Sequence, residues 1–108
     1  METKEYIEIL RTKTHEPIPA AFRNSLCKYL YDAGISCRII AEIIHCKRRH
    51  VYRQVYNCRD MLEVNDELMC KAFNETKAHK IVVRPTFLDG DVITRFSGYK
   101  MLIDNQIY

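Results

Sequence analysis

No apolar run in this 108-residue chain approaches the ~20 residues that span a bilayer, so no membrane-crossing helix is expected. Glycine is scarce, three in all, and no glycine-rich loop exists to cradle phosphates, which excludes the common nucleotide-binding motifs. The five cysteines Cys27, Cys37, Cys46, Cys58 and Cys70 contain no CxxC pair. Their odd number and wide spacing match neither a zinc nor a disulfide framework. They read as reduced thiols, three of them at positions that look buried, where cysteine behaves as a small hydrophobe. Cys46 and His50 can share a helical face, but two ligands do not make a metal site. The charged start Met1-Glu2-Thr3-Lys4-Glu5 is followed by no long apolar stretch. A secretory signal is therefore not expected, and the cytoplasm is the default location. There is no internal repeat and no low-complexity tract.

Catalysis on nucleic acid would need convergent carboxylates holding metal ions. The single dense acidic group, Asp60, Glu63, Asp66 and Glu67, reads better as a helix cap and a solvated face. No enzyme activity and no cofactor are expected.

What is present is an ordinary globular composition, 47% hydrophobic and 29% charged, with room for one core. The net charge of +3 says little, but its distribution says more. Lys47, Arg48, Arg49, Arg53 and Arg59 fall between His45 and Arg59 with no acidic residue among them. A basic block confined to one element is the electrostatic footprint of a nucleic-acid contact.

Apolar spacing predicts a mainly α fold of four to five helices. A short helical rhythm runs from Glu5 to Arg11, and His15-Glu16-Pro17-Ile18-Pro19 breaks it. Pro19 suits the first turn of a second helix, whose stripe is Phe22, Leu26, Tyr29 and Leu30 and which stops at Gly34. Ser36 is placed to cap a third helix, Cys37 to about Ile44, and after His45-Cys46-Lys47 the stripe Val51, Val55, Cys58, Leu62 predicts a fourth. Asn65 or Asp66 caps a fifth, Glu67 to about His79, with Leu68, Cys70 or the Lys71 stem, Ala72 and Phe73 making contacts. Met61, Met69 and Met101 read as core fillers. Residues 81–108 form an extended appendage: Ile81 to Pro85 looks like strand, and Asp89-Gly90-Asp91 signals a hairpin turn between Thr86-Phe87-Leu88 and Val92-Ile93-Thr94.

Two short helices joined by a tight turn, the second one basic, form the unit that seats a recognition helix in the major groove. Here it spans about 36–59, within a helical domain of residues 1–80. Ala41 is small where the helices cross, Ile40 and Ile44 face the core, and Val51 packs back. His45 takes the turn position often held by glycine, which histidine tolerates. The run Ile40-Ala41-Glu42-Ile43-Ile44-His45-Cys46-Lys47-Arg48-Arg49-His50-Val51-Tyr52-Arg53, preceded by Tyr29-Leu30, resembles the C-terminal DNA-binding domain of the bacterial replication initiator DnaA and the wider Trp-repressor-like group. The resemblance covers about Phe22 to Glu63 and implies a helix-turn-helix fold and a groove-binding mode, in a bacterial or phage setting. It departs at Lys47-Arg48-Arg49-His50, where the initiator has Asp-His-Thr-Thr, so the same target sequence is not implied.

Position assigns the roles. Arg48, Arg49, His50 and Arg53 are candidates for base edges, with Tyr52 for a thymine methyl or a phosphate. Ser36, Arg38, Lys47 and Arg59 are candidates for phosphates. Tyr29, Tyr31, Tyr52 and Tyr56 otherwise read as packing at the core edge. The expected partner is double-stranded DNA, in transcription control or in replication or maintenance of a mobile element. A homodimer on a pseudo-palindrome is the common arrangement, though no heptad seam specifies one. The alternative is a scaffold of the same fold used for protein–protein interaction, with Ile103 to Tyr108 as a dimerisation or docking arm. The discriminator is whether Arg48, Arg49 and Arg53 stand exposed together or are tied up by Glu42, Asp60 and Glu63.

Overall fold

A computed structural model describes residues 1–88 and 95–108. Among them lie five helices, α1 (Thr3–Arg11), α2 (Pro17–Asp32), α3 (Cys37–Ile44), α4 (Arg48–Glu63) and α5 (Glu67–Ala78). Three strands follow, β1 (Ile81–Leu88), β2 (Arg95–Ile103) and β3 (Gln106–Ile107), in an antiparallel sheet of order β1-β2-β3. The fold is mainly helical with a small sheet appended. The Asp89-Gly90-Asp91 turn signal and the Val92-Ile93-Thr94 segment lie outside the described residues. Among the described residues no helix is long and apolar enough to cross a membrane.

α2 is the axis of the bundle, packed against α1, α3, α4 and α5. Such a helix cannot be one-sided. Phe22, Leu26 and Leu30 form the anticipated stripe, Tyr29 is half-buried, and Ser25 and Cys27 are buried as well. Ser25 meets its polar need through Met69 Sδ of α5, 3.4 Å away. The helix begins at Pro17, two residues earlier than the Pro19 start read from sequence. Both prolines fall in the first turn, where backbone N–H groups have no carbonyl to reach and their loss costs little. At the other end Gly34 takes φ +90, and Ile35 N donates back to Leu30 O at 3.0 Å, closing the helix as glycine commonly does.

Ser36 caps α3 by accepting from Ile39 N at 3.3 Å. α3 buries Cys37, Ile40, Ala41 and Ile43, and α4 buries Val51, Val55 and Cys58 against it. Between them His45 adopts a left-handed backbone, φ 56 and ψ 53, and Cys46 N bonds Ala41 O at 3.0 Å. Asp66, not Asn65, caps α5 by accepting from Met69 N at 2.9 Å. The inward side of α5 is Met69, Ala72 and Thr76, with Leu68, Cys70 and Phe73 half-buried. Lys71 is exposed, because the 69/72/76 spacing turns it outward. Cys27, Cys37 and Cys58 are buried, and all five thiols are free. Burial pushes the Cys27, Cys46 and Cys58 thiols up from their ordinary range.

β1 and β2 pair from Ile81↔Ile103 to Thr86↔Gly98, then shift register through a bulge between Thr86 and Phe87. Pro85 is tolerated because β1 is an edge strand. Met101 and Ile103 face the core, and β2 lies against α3. Gly98, at φ +134, makes that approach close: a Cβ there would stand 2.8 Å from Glu42 Oε1.

The C-terminal segment, Ile103 to Tyr108, folds back onto β2. Asp104 (φ 49) and Asn105 (φ 67) form a left-handed turn, which Asp and Asn adopt more readily than most residues. Gln106–Ile107 then pairs with β2, and Tyr108 N donates to Met101 O at 2.9 Å. Asp104 is also the hub of a polar network. Its Oδ2 accepts from Thr3 Oγ1 at 2.6 Å and lies 2.5 Å from His79 Nδ1, while Oδ1 accepts from Lys80 N at 2.8 Å. The Thr3 and His79 bonds, with the Lys80 amide, lower its carboxyl to about 2. Nearby, the fully buried Tyr6 hydroxyl lies 2.9 Å from Thr76 Oγ1. Thr76 gives its own proton to Ala72 O at 3.0 Å, so Tyr6 is the donor of that pair.

Candidate nucleic-acid interface

The burial pattern of α4 fixes which way each of its side chains faces. A helix turns about 100° per residue, so with Val51, Val55 and Cys58 inward, Arg49, Arg53, Tyr56, Asn57 and Asp60 lie outward. All five are exposed. Arg48, Tyr52 and Arg59 form one flank of this ridge, and His50 and Gln54 form the other. The sequence-read candidates therefore separate. Arg49 and Arg53 share the ridge, Arg48 stands beside it, and half-buried Tyr52 and His50 sit on opposite flanks.

Charge on the ridge is not internally balanced. Among the described residues Arg48, Arg49 and Arg53 form no ion pair. Glu42 sits over Gly98 of β2, and Glu63 likewise makes no ion pair. Asp60 pairs with Arg59 at 3.3 Å. Arg59 is thus the one phosphate candidate already holding an acidic neighbour, in an exposed pair of little energetic weight. Ser36, Arg38 and Lys47 are exposed, the first two at the start of α3 and Lys47 at the start of α4. Lys47 gives α4 no side-chain cap, and no acid stands in its first turn. The Arg48 and Arg49 amides there are open to an anion, while the His50 amide already donates to Lys47 O at 2.9 Å.

No protein-family model, curated protein or solved structure matches this chain.

Two exposed aromatics extend the α4 flank and were read from sequence only as packing. Tyr52 stacks on Tyr56 at 6.3 Å and meets Tyr31 of α2 edge-on at 6.5 Å. Tyr31 and Tyr56 are 41% and 45% exposed, too open for a core-edge role alone. Guanidiniums cover the rings, Arg48 over Tyr52 at 6.0 Å and Arg59 over Tyr56 at 4.9 Å. Helical spacing alone places Tyr52 and Tyr56 side by side, whereas Tyr31 joins them only through the α2–α4 packing. Such a surface can present planar guanidinium forks to phosphates or to guanine edges, with rings to pack on sugar or methyl groups. Among the described residues no three His, Cys, Asp or Glu side chains gather as a metal site.

Proposed function

We propose that this chain binds duplex DNA sequence-specifically, with α3, the turn at 45–47 and α4 acting as a helix-turn-helix and α4 lying in the major groove. The observation that carries the reading is the ridge of Arg49 and Arg53, flanked by Arg48 and with no acidic partner. Like charges four residues apart on a helix destabilise it by about 0.2–0.5 kcal/mol, so Arg49 and Arg53 bring the fold a small cost. A polyanion turns that cost into binding. Arg48, Arg49 and Arg53 read base edges, His50 and Tyr52 reach from the flanks, and Ser36, Arg38, Lys47 and Arg59 hold phosphates. The resemblance to the initiator and Trp-repressor-like domains supports the same docking mode. The Lys47-Arg48-Arg49-His50 stretch gives this protein its own target, in transcription control or in the replication or maintenance of a mobile element.

The test is fluorescence anisotropy on a randomised duplex pool, with single-stranded controls, titrated across salt beside an Arg48/Arg49/Arg53 triple alanine variant. Duplex binding that falls steeply with salt and disappears in the variant is expected, and sedimentation with and without duplex then tests for a homodimer. If duplex is not bound at low salt, the interaction reading replaces this one. Phe87 and Phe96, 52% and 55% exposed with ring centroids 6.2 Å apart, are then the surface to examine.

A further inference from the structure

A cavity of about 320 Å³ opens beside the turn between α3 and α4. Buried Leu10 and Leu26 and half-buried Ile44 give it an apolar lining. Its polar lining is one-sided in charge. Lys13 and His15 come from the α1–α2 connection, Arg23 from α2, His45 from the turn and His50 from α4, and among the described residues no carboxylate side chain borders the space. The connection is held in place, because the Arg23 guanidinium donates to the carbonyls of Thr12 and Thr14, the latter at 2.6 Å. Thr14 also lines the cavity, and its hydroxyl is buried with no hydrogen-bond partner among the described residues.

We infer that this cavity is a binding site for a small organic anion. Ligand pockets are concave and mostly apolar, with a few convergent polar groups, and run from about 300 to 1,000 Å³. This one is at the small end and suits a single ring or a short chain. The apolar body lies against Leu10, Leu26 and Ile44. The carboxylate or phosphate-ester oxygens accept from Lys13 and from the imidazoles. The cavity lies on the His50 and Gln54 flank, away from Arg49 and Arg53, and shares only His50 with the proposed DNA surface.

The experiment is an amide-resolved NMR titration of the full chain with benzoate, hexanoate and phenyl phosphate. Benzyl alcohol and inorganic phosphate are the controls. The expected result is saturable shifts confined to the cavity lining, residues 10, 13–15, 23, 26, 44–46, 50, 54 and 108, and whether a carboxylate or the ester binds tighter identifies the headgroup. Lys13→Gln with His15→Gln, both at exposed positions that leave the fold intact, should weaken binding by about tenfold, the equivalent of one lost charge-assisted hydrogen bond. Equal shifts with benzyl alcohol would reduce the site to an apolar hollow, and equal shifts with inorganic phosphate would reduce it to an adventitious ion only. Either result overturns the proposal, as does a flat titration with every probe or unchanged affinity in the double variant.

Discussion

Around Asp104 two side chains and a backbone amide converge on one carboxylate, while along α4 Arg48, Arg49 and Arg53 meet no acid among the described residues. The first arrangement joins three parts of the chain: Thr3 of α1, the His79-Lys80 segment after α5, and the turn between β2 and β3. Bonds to an ionised carboxylate are the stronger kind, and here they clamp the sheet to the helices. In the second, Arg49 and Arg53 hold nothing together and Arg48 only covers the Tyr52 ring. Its charges are spent outward, and the like-charged Arg49–Arg53 pair works slightly against its own helix. On the function proposed above, fold stability and recognition reside in separate side chains, and each is expected to be removable without the other.

The largest expected effect comes from reversing the ridge. Arg49→Glu with Arg53→Glu should lower duplex affinity by more than about 100-fold near ~0.1 M salt, while thermal unfolding stays close to that of the parent. A large loss of melting temperature would mean that the ridge is structural after all. Next, Arg49→Ala should cost about tenfold at one base position, whereas Lys47→Gln should weaken all duplexes alike and flatten the salt dependence. Equal losses on every sequence for both variants would remove that division of labour.

On the other side of the comparison, Asp104→Asn should destabilise the fold by about 1–2 kcal/mol at neutral pH, discounted for partial solvent screening, and leave DNA affinity unchanged. Because the folded carboxyl is lowered to about 2 from an ordinary value near ~3.9, its contribution is present at neutral pH. It is lost as the pH falls from about 5 toward 2. Urea unfolding at several pH values should show that decline in the parent and a shallower one in the variant. The smallest effect belongs to Tyr6→Phe. It removes one buried donor while Thr76 keeps its bond to Ala72 O, at about 1 kcal/mol by urea unfolding. Any change in duplex binding in this variant would break the separation.

The helices were legible because each rule behind them is local. Ser36 and Asp66 announce caps, Gly34 announces an end, and the Val51, Val55, Cys58 spacing fixes the inward face of α4. The charge pattern that marks the ridge is equally local, being a contiguous run without acids. What escaped the sequence is what distant segments make together. Tyr31 meets Tyr52 only after α2 and α4 pack, and the cavity draws on both helix connections. The earlier start of α2 was missed because Pro17 reads as a breaker until it is seen to occupy a first turn. The return of the C-terminus was written in Asp104-Asn105, a pair suited to left-handed backbone, but that turn lacks the glycine that makes such signals loud.

The bond from Thr3 to Asp104 also sets an order of events in time. It closes a loop of about 100 residues and cannot form until both ends of that loop exist. During synthesis the first helix emerges long before Asp104 has been added, so it waits without its clamp while α2 to α5 gather beside it. Of the described elements α1 is made first, and it gains this clamp only once the sheet has been added.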